Sequence, residues 1–173
     1  TARHGAYMRG YADGTFKPER NMTRAEAAQL FYNLLLHKEG TGSSTFDDVR
    51  ADAWYYDAVT LLADMGIIKG RGNGLFDPDG EITRAEFTAI AMRFVKIEVK
   101  GTAIFTDVPA THWAAESIAA AAALGWISGN GDGTFRPNAF IDRASVTRLV
   151  NRMLARTAYL DAHADSVMPF SDV

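Results

Sequence analysis

The 173-residue chain contains no cysteine, which excludes disulfide staples and thiolate metal sites but leaves the compartment open. No stretch reaches the roughly 20 apolar residues of a membrane-spanning helix, and the N-terminus lacks a charged-then-apolar leader. There is no run of Lys or Arg either. With 18 Lys+Arg against 21 Asp+Glu the net charge is −3, so a nucleic-acid backbone would meet no attractive field. The four histidines, His4, His37, His112 and His163, share no metal-ligand spacing, and neither His-Glu-x-x-His nor Gly-x-Ser-x-Gly occurs. Carboxylates are plentiful, yet none stand as an acid/base couple. The sequence therefore carries no signal for catalysis, a cofactor, a metal, nucleic-acid binding or membrane insertion. Its 47% hydrophobic content is ordinary for a soluble fold, and its length suits one domain or a tight array.

What the chain does have is repetition. A glycine-rich turn leading to a helix-opening Arg-Ala dipeptide occurs three times: Gly10-Tyr-Ala-Asp-Gly-Thr-Phe-Lys-Pro18 to Thr23-Arg-Ala-Glu26, Gly70-Arg-Gly-Asn-Gly-Leu-Phe-Asp-Pro78 to Thr83-Arg-Ala-Glu86, and Gly129-Asn-Gly-Asp-Gly-Thr-Phe-Arg-Pro137 to Asp142-Arg-Ala-Ser145. Phe76 follows Phe16 by 60 residues and Phe135 follows Phe76 by 59. A second landmark, Phe-x-Asp-Val, alternates with the first at Phe46–Val49, Phe105–Val108 and Phe170–Val173, with Trp54 and Trp113 after the first two. A fixed period of this size means supersecondary units that share a core with their neighbours. Each period holds two helices. The chain starts in the second half of one repeat and stops at the opening motif of another, so it reads as a segment of a longer protein, with any export signal outside it.

Thr23-Arg-Ala-Glu26 has the form of a capping box, and Ala27, Leu30, Phe31, Leu34 and Leu35 then follow helical spacing. The pattern recurs with Phe87, Ile90, Ala91, Phe94 and Val95, and with Val146, Leu149, Val150, Met153 and Leu154. A second helix type begins near Trp54 or Trp113 and ends at Gly66 or Gly125, where a left-handed cap is wanted. The run Ala119–Ala123 either allows close approach at a crowded axis or simply favours helix. The tail Ala155–Met168 is expected to be a loop or short helix.

The glycine-rich segments are not calcium loops. With Gly14 or Gly133 as the sixth loop residue, the first ligand falls on Arg9 or Ser128 and the twelfth on Arg20 or Ala139. Gly70–Gly74 matches neither a phosphate loop nor a dinucleotide fingerprint. Tight turns or short hairpins with glycines at positive φ account for them better. More telling is an arginine in the first turn of each Arg-Ala helix, Arg24, Arg84 and Arg143, where the helix dipole disfavours a cation by about 0.3–1 kcal/mol. Either it is a surface ion pair inherited through duplication, or a guanidinium that receives an anion together with free helix N-terminal amides. Trp54 and Trp113 either fill a core or present a flat wall to a sugar ring. Asp48 and Asp107 either accept from sugar hydroxyls or cap the next turn.

In their order and recurrence these motifs resemble the S-layer homology family, over nearly the whole chain from about Arg9 to Val173. The resemblance implies an all-α, pseudo-threefold bundle of repeats, with a central three-helix core and radiating prongs. Residues 1–45 would be the second half of repeat 1, 46–104 repeat 2, 105–169 repeat 3 and 170–173 the start of a further repeat, together one compact domain. It also implies a non-catalytic anchoring module at the extracellular bacterial surface, binding a secondary cell-wall polysaccharide through the carboxylate of a terminal pyruvate ketal. Modified peptidoglycan, or self-association within a surface layer, are the alternatives.

By the family's pattern, grooves lie between consecutive repeats. Arg24 would meet Asp48, Trp54 and the turn from Gly70 to Asn73. Arg84 would meet Asp107, Trp113 and the Gly129–Asn130 turn. Arg143 would meet Asp172, a weaker site: Asp142-Arg-Ala-Ser145 lacks the Glu of the capping box, a carboxylate sits beside the arginine, and no third Trp follows. At most two competent grooves are expected. Closure of the bundle would need residues after Val173, a neighbouring chain or a rearranged helix.

Overall fold

The computed structural model describes residues 7–38, 42–102 and 104–154. Among them the chain is all-α: α1 is Arg24–Leu34, α2 Tyr56–Asp64, α3 Arg84–Val95, α4 Ala115–Ala123 and α5 Arg143–Met153, and extended segments meet only in isolated bridges. The expected tail Ala155–Met168 and Asp172 lie outside the described residues.

Helices α1 and α3 open on complete capping boxes. Thr23 and Thr83 accept from the amides of Glu26 and Glu86, whose carboxylates accept from the Thr amides in return. Helix α5 keeps half of this device: Asp142 accepts from the Ser145 amide at 2.7 Å, and Ser145 has no carboxylate to return. Helices α2 and α4 close on six-to-one and five-to-two hydrogen bonds around Gly66 and Gly125, at φ 69° and 72°, the left-handed cap that only glycine adopts cheaply.

The chain divides into two compact units. One comprises the described residues up to Lys17 together with Met22–Glu81, and pairs α1 with α2. The other comprises Pro18–Asn21 and the described residues from Ile82 onward, and pairs α3 with α4. In each, an Arg-Ala helix packs on the helix that follows it, with Phe31 or Phe87 fully buried, a contribution of about 1.5–3 kcal/mol per side chain.

The two sequence landmarks turn out to be two halves of one local structure. In the second unit Phe105 stacks on Phe135 at 5.3 Å, and Val108 is buried with Ala85, Ala114, Ile118 and Phe135. In the first, Phe46 lies 5.5 Å from Phe76 and Val49 is buried. Gly70 and Gly129 are glycine for room and have no positive φ. A Cβ on Gly129 would stand 2.7 Å from both the Phe105 ring and the Thr134 carbonyl oxygen, and one on Gly70 would be 2.6 Å from the Leu75 oxygen.

A further pair of contacts has no motif to announce it. Gly42 lies on the backbone of α2 and Gly101 on that of α4, so close that an added Cβ would fall 2.1 Å from the carbonyl carbon of Thr60 or Ala119. Beside Gly42, the amides and hydroxyls of Ser43 and Ser44 donate to the Asp64 carboxylate at the end of α2, which draws its pKa down to about 2.

Candidate functional site

The Arg-Ala helices begin on an exchange of backbone hydrogen bonds that occurs three times. The amides of Arg24 and Ala25 donate to the carbonyls of Gly80 and Pro78, those of Arg84 and Ala85 to Ala139 and Pro137, and those of Arg143 and Ala144 to Arg20 and Pro18. The next amide is taken by the N-cap side chain. This corrects one expectation: the first-turn amides are occupied by turn carbonyls, so the helix N-termini offer no free amides to an anion.

The same geometry explains how an arginine is tolerated there. Arg24 is buried, at 5% exposure. It donates from Nε to the Phe76 carbonyl at 2.8 Å and from Nη2 to the Lys69 carbonyl at 2.7 Å, and its guanidinium lies 4.6 Å from the Phe76 ring centre. Carbonyl dipoles and the ring face offset the unfavourable helix end. Asp48 holds the other side of that residue, accepting the amides of Phe76 and Asp77 at 2.8 and 2.7 Å. Arg24 and Asp48 thus grip one peptide segment from both ends, as fasteners of the turn.

Arg84 and Asp107 repeat the arrangement around Phe135. Arg84 Nε donates to the Phe135 carbonyl at 2.8 Å, its guanidinium lies 4.5 Å from the ring centre, and Asp107 accepts the amides of Phe135 and Arg136. Desolvation pushes the Asp107 pKa up, but the amides of Phe135 and Arg136 outweigh it and leave the carboxyl below its ordinary value. Both clamped residues just before proline, Asp77 and Arg136, have left-handed backbones, φ 61° and 57°. A non-glycine residue enters that region at a cost of roughly 1–2 kcal/mol; Lys17, before Pro18, shares the conformation at φ 53°, and at Asp77 and Arg136 a two-amide grip on one carboxylate accompanies it.

Arg84 differs from Arg24 in its surroundings. It is half-buried and lines a cleft of about 340 Å³ within the second unit. One wall is Arg84 and Thr88 of α3, another the segment Trp126–Asn130, and the third Asp142, Ser145, Arg148, Leu149 and Arg152 around α5. No hydrogen bond from the terminal nitrogens of Arg84 is present among the described residues. Burial lowers the Arg84 pKa and Asp142 counters the shift, while Arg148 and Arg136 add to it; the guanidinium remains charged in any case.

The sequence-derived groups are therefore brought together only in part. Arg84, Gly129 and Asn130 share the cleft, whereas Asp107 stands behind it as a brace and Trp113 is outside its lining. Asn130 donates to the Thr134 carbonyl and hydroxyl from its side chain. Arg24 and Asp48 meet at Phe76 and Gly70 lies against the Phe46 ring and the Leu75 carbonyl, while Asn73 is exposed at a turn with φ 51°. Trp54 and Trp113 are 62% and 61% exposed, so neither fills a core. Trp54 rests edge-on against Tyr55 at 5.1 Å and Trp113 stacks on His112 at 5.7 Å. Arg143 is buried at 5% exposure, and its expected partner Asp172 lies outside the described residues. Sequence reasoning missed Trp126, Ser145, Arg148 and Arg152; the two arginines, spaced i, i+4 on the least apolar of the Arg-Ala helices, were the available signal.

Among the described residues no group of three or more His, Cys, Asp or Glu is placed to hold a metal, and no helix is long and apolar enough to cross a membrane.

These features define a tandem-repeat, all-α module with a basic cleft. The chain belongs to the S-layer homology domain family, whose model matches residues 2–28, 45–88 and 104–147. It is similar to cell surface glycoprotein 1 of Acetivibrio thermocellus (40% identity over 88% of this chain and 7% of that protein). The cellulosome-anchoring protein of the same organism is 39% identical over 100% of this chain and 40% of its own length. The surface-layer 125 kDa protein of Lysinibacillus sphaericus is 36% identical over 85% and 13%. The chain thus spans less than half the length of each of these relatives.

Proposed function

We propose that this chain is a non-catalytic anchoring module that holds a larger protein to the bacterial cell wall by binding an acidic wall polysaccharide in the Arg84 cleft. The module is extracellular and belongs at the cell surface, in keeping with its family and with relatives named for surface layers and anchoring. The observation that carries the ligand assignment is the half-buried guanidinium of Arg84, which spends Nε on the Phe135 carbonyl and leaves both Nη groups without a hydrogen bond among the described residues. Two parallel N–H donors on a planar cation fit a carboxylate bidentately, and the family's pyruvate ketal supplies such a carboxylate on a sugar. Asn130 and Ser145 line the same cleft and can exchange hydrogen bonds with sugar hydroxyls.

Binding of the purified chain to isolated wall sacculi, before and after chemical extraction of the secondary polymer, tests this reading. Pelleting that is lost on extraction and lost with Arg84→Gln is the expected result. Equal pelleting with extracted walls points to peptidoglycan and refutes the polysaccharide assignment. Self-assembly without walls, indifferent to Arg84, refutes anchoring through this cleft.

A further inference from the structure

The third Arg-Ala helix is the copy that departs from the repeat, and its departures gather on one wall of the Arg84 cleft. At the positions five and nine residues after the leading arginine, α1 carries Gln29 and Asn33, bonded to each other at 3.0 Å, and α3 carries Ala89 and Arg93. Helix α5 carries Arg148, which neither other copy matches, and Arg152, which α3 matches with Arg93; both are exposed and both line the cleft. Where α1 and α3 place a glutamate in the first turn, α5 has Ser145. The N-cap changes as well, from threonine to Asp142, so this wall keeps one carboxylate, and two guanidinium groups stand further along the same helix.

Three arginines, Arg84, Arg148 and Arg152, thus face one acid, Asp142, across a single cleft, in a chain whose net charge is −3. The acid is already engaged by the Ser145 amide. Arg148 donates to the Ser145 hydroxyl at 3.1 Å, and neither Arg148 nor Arg152 forms an ion pair among the described residues. The like charges act against one another, since Arg148 disfavours the charged form of Arg84. Folding gains nothing from concentrating cations in this way, whereas a multiply charged anion does.

We infer that the α5 wall is a second anionic subsite, in which Arg148 and Arg152 receive a further negative group of the same polysaccharide strand whose terminal carboxylate is held by Arg84. The ligand of this cleft is then an acidic oligosaccharide with at least two anionic groups, carboxylate or phosphate, on neighbouring residues. The inference rests on the Arg84 reading above and assigns a separate wall of that cleft.

The test is sacculus binding of the full chain across a salt series, with the parent, Arg148→Gln combined with Arg152→Gln, and Arg148→Lys combined with Arg152→Lys. Both arginines are exposed, so the variants should melt as the parent does. The expected result is a tenfold or greater loss of affinity for the Gln pair at low ionic strength, closing as salt screens the pair, with the Lys pair within about threefold of the parent. A Gln pair that binds within twofold of the parent throughout, or whose deficit is insensitive to salt, overturns the second subsite. Failure of the parent itself to bind walls overturns the anchoring reading instead.

Discussion

Replacing Asp107 by alanine separates bracing from ligand binding. The carboxylate accepts two backbone amides, Phe135 at 2.8 Å and Arg136 at 2.7 Å, and Arg136 is left-handed directly before Pro137. Hydrogen bonds to a charged group contribute about 1.5–3 kcal/mol each, but this one is partly exposed and solvent screens it. A net loss of about 2–3 kcal/mol follows, or roughly 4–12 °C in Tm for a chain of this length. The Asp107→Asn variant accepts through one oxygen only and should fall between Asp107→Ala and the parent. Thermal melts by circular dichroism measure the loss, and titration with a wall-polymer fragment well below the melt shows what remains of binding. If Asp107→Ala melts within 1 °C of the parent yet no longer binds, the brace is wrong and the carboxylate is a ligand contact.

The remaining predictions concern other parts of the fold. Gly101→Ala places a methyl 2.1 Å from the Ala119 carbonyl carbon, and should cost about 1–3 kcal/mol or more in a denaturant titration. Asp64 and Asp132 both have pKa values lowered from 3.8 to about 2. Because the folded values lie below the unfolded ones, their stabilisation is complete above about pH 4 and is lost as pH falls toward 2; Asp64→Asn should flatten its share of that slope in melts at pH 5, 3 and 2. Trp54→Ala and Trp113→Ala, at largely exposed sites, should leave stability within about 0.5 kcal/mol. If the indoles stack on sugar, wall binding falls by more than about 1 kcal/mol, roughly fivefold; unchanged binding assigns them to no ligand.

The helices were legible in the sequence because their determinants are local. Thr23 with Glu26, Thr83 with Glu86, and the glycines at 66 and 125 each act within a turn or two, and the structure uses them as their chemistry dictates. The site was less legible because it depends on which segments meet. The family resemblance placed Asp107 and Trp113 with Arg84; Asp107 does share Phe135 with Arg84, but the cleft takes its third wall from α5, which begins more than fifty residues after Arg84. Equally, an arginine at a helix N-terminus with free amides looks like an anion cradle, until Pro78 and Gly80 deliver their carbonyls to those amides. Gly42 and Gly101 gave no signal, since a glycine that matters for room looks the same in sequence as one in an unremarkable loop. The residue before each turn proline would be expected in extended backbone, yet Lys17, Asp77 and Arg136 are all left-handed, and at the latter two a carboxylate from 29 residues earlier accepts the local amide.

The measurement closest to the central claim is a calorimetric titration of the parent and Arg84→Gln with a pyruvylated amino-sugar fragment, both proteins first shown to melt cooperatively. The Arg84 cleft predicts binding by the parent and at least a tenfold loss in Arg84→Gln. Equal affinity in the two proteins would contradict it.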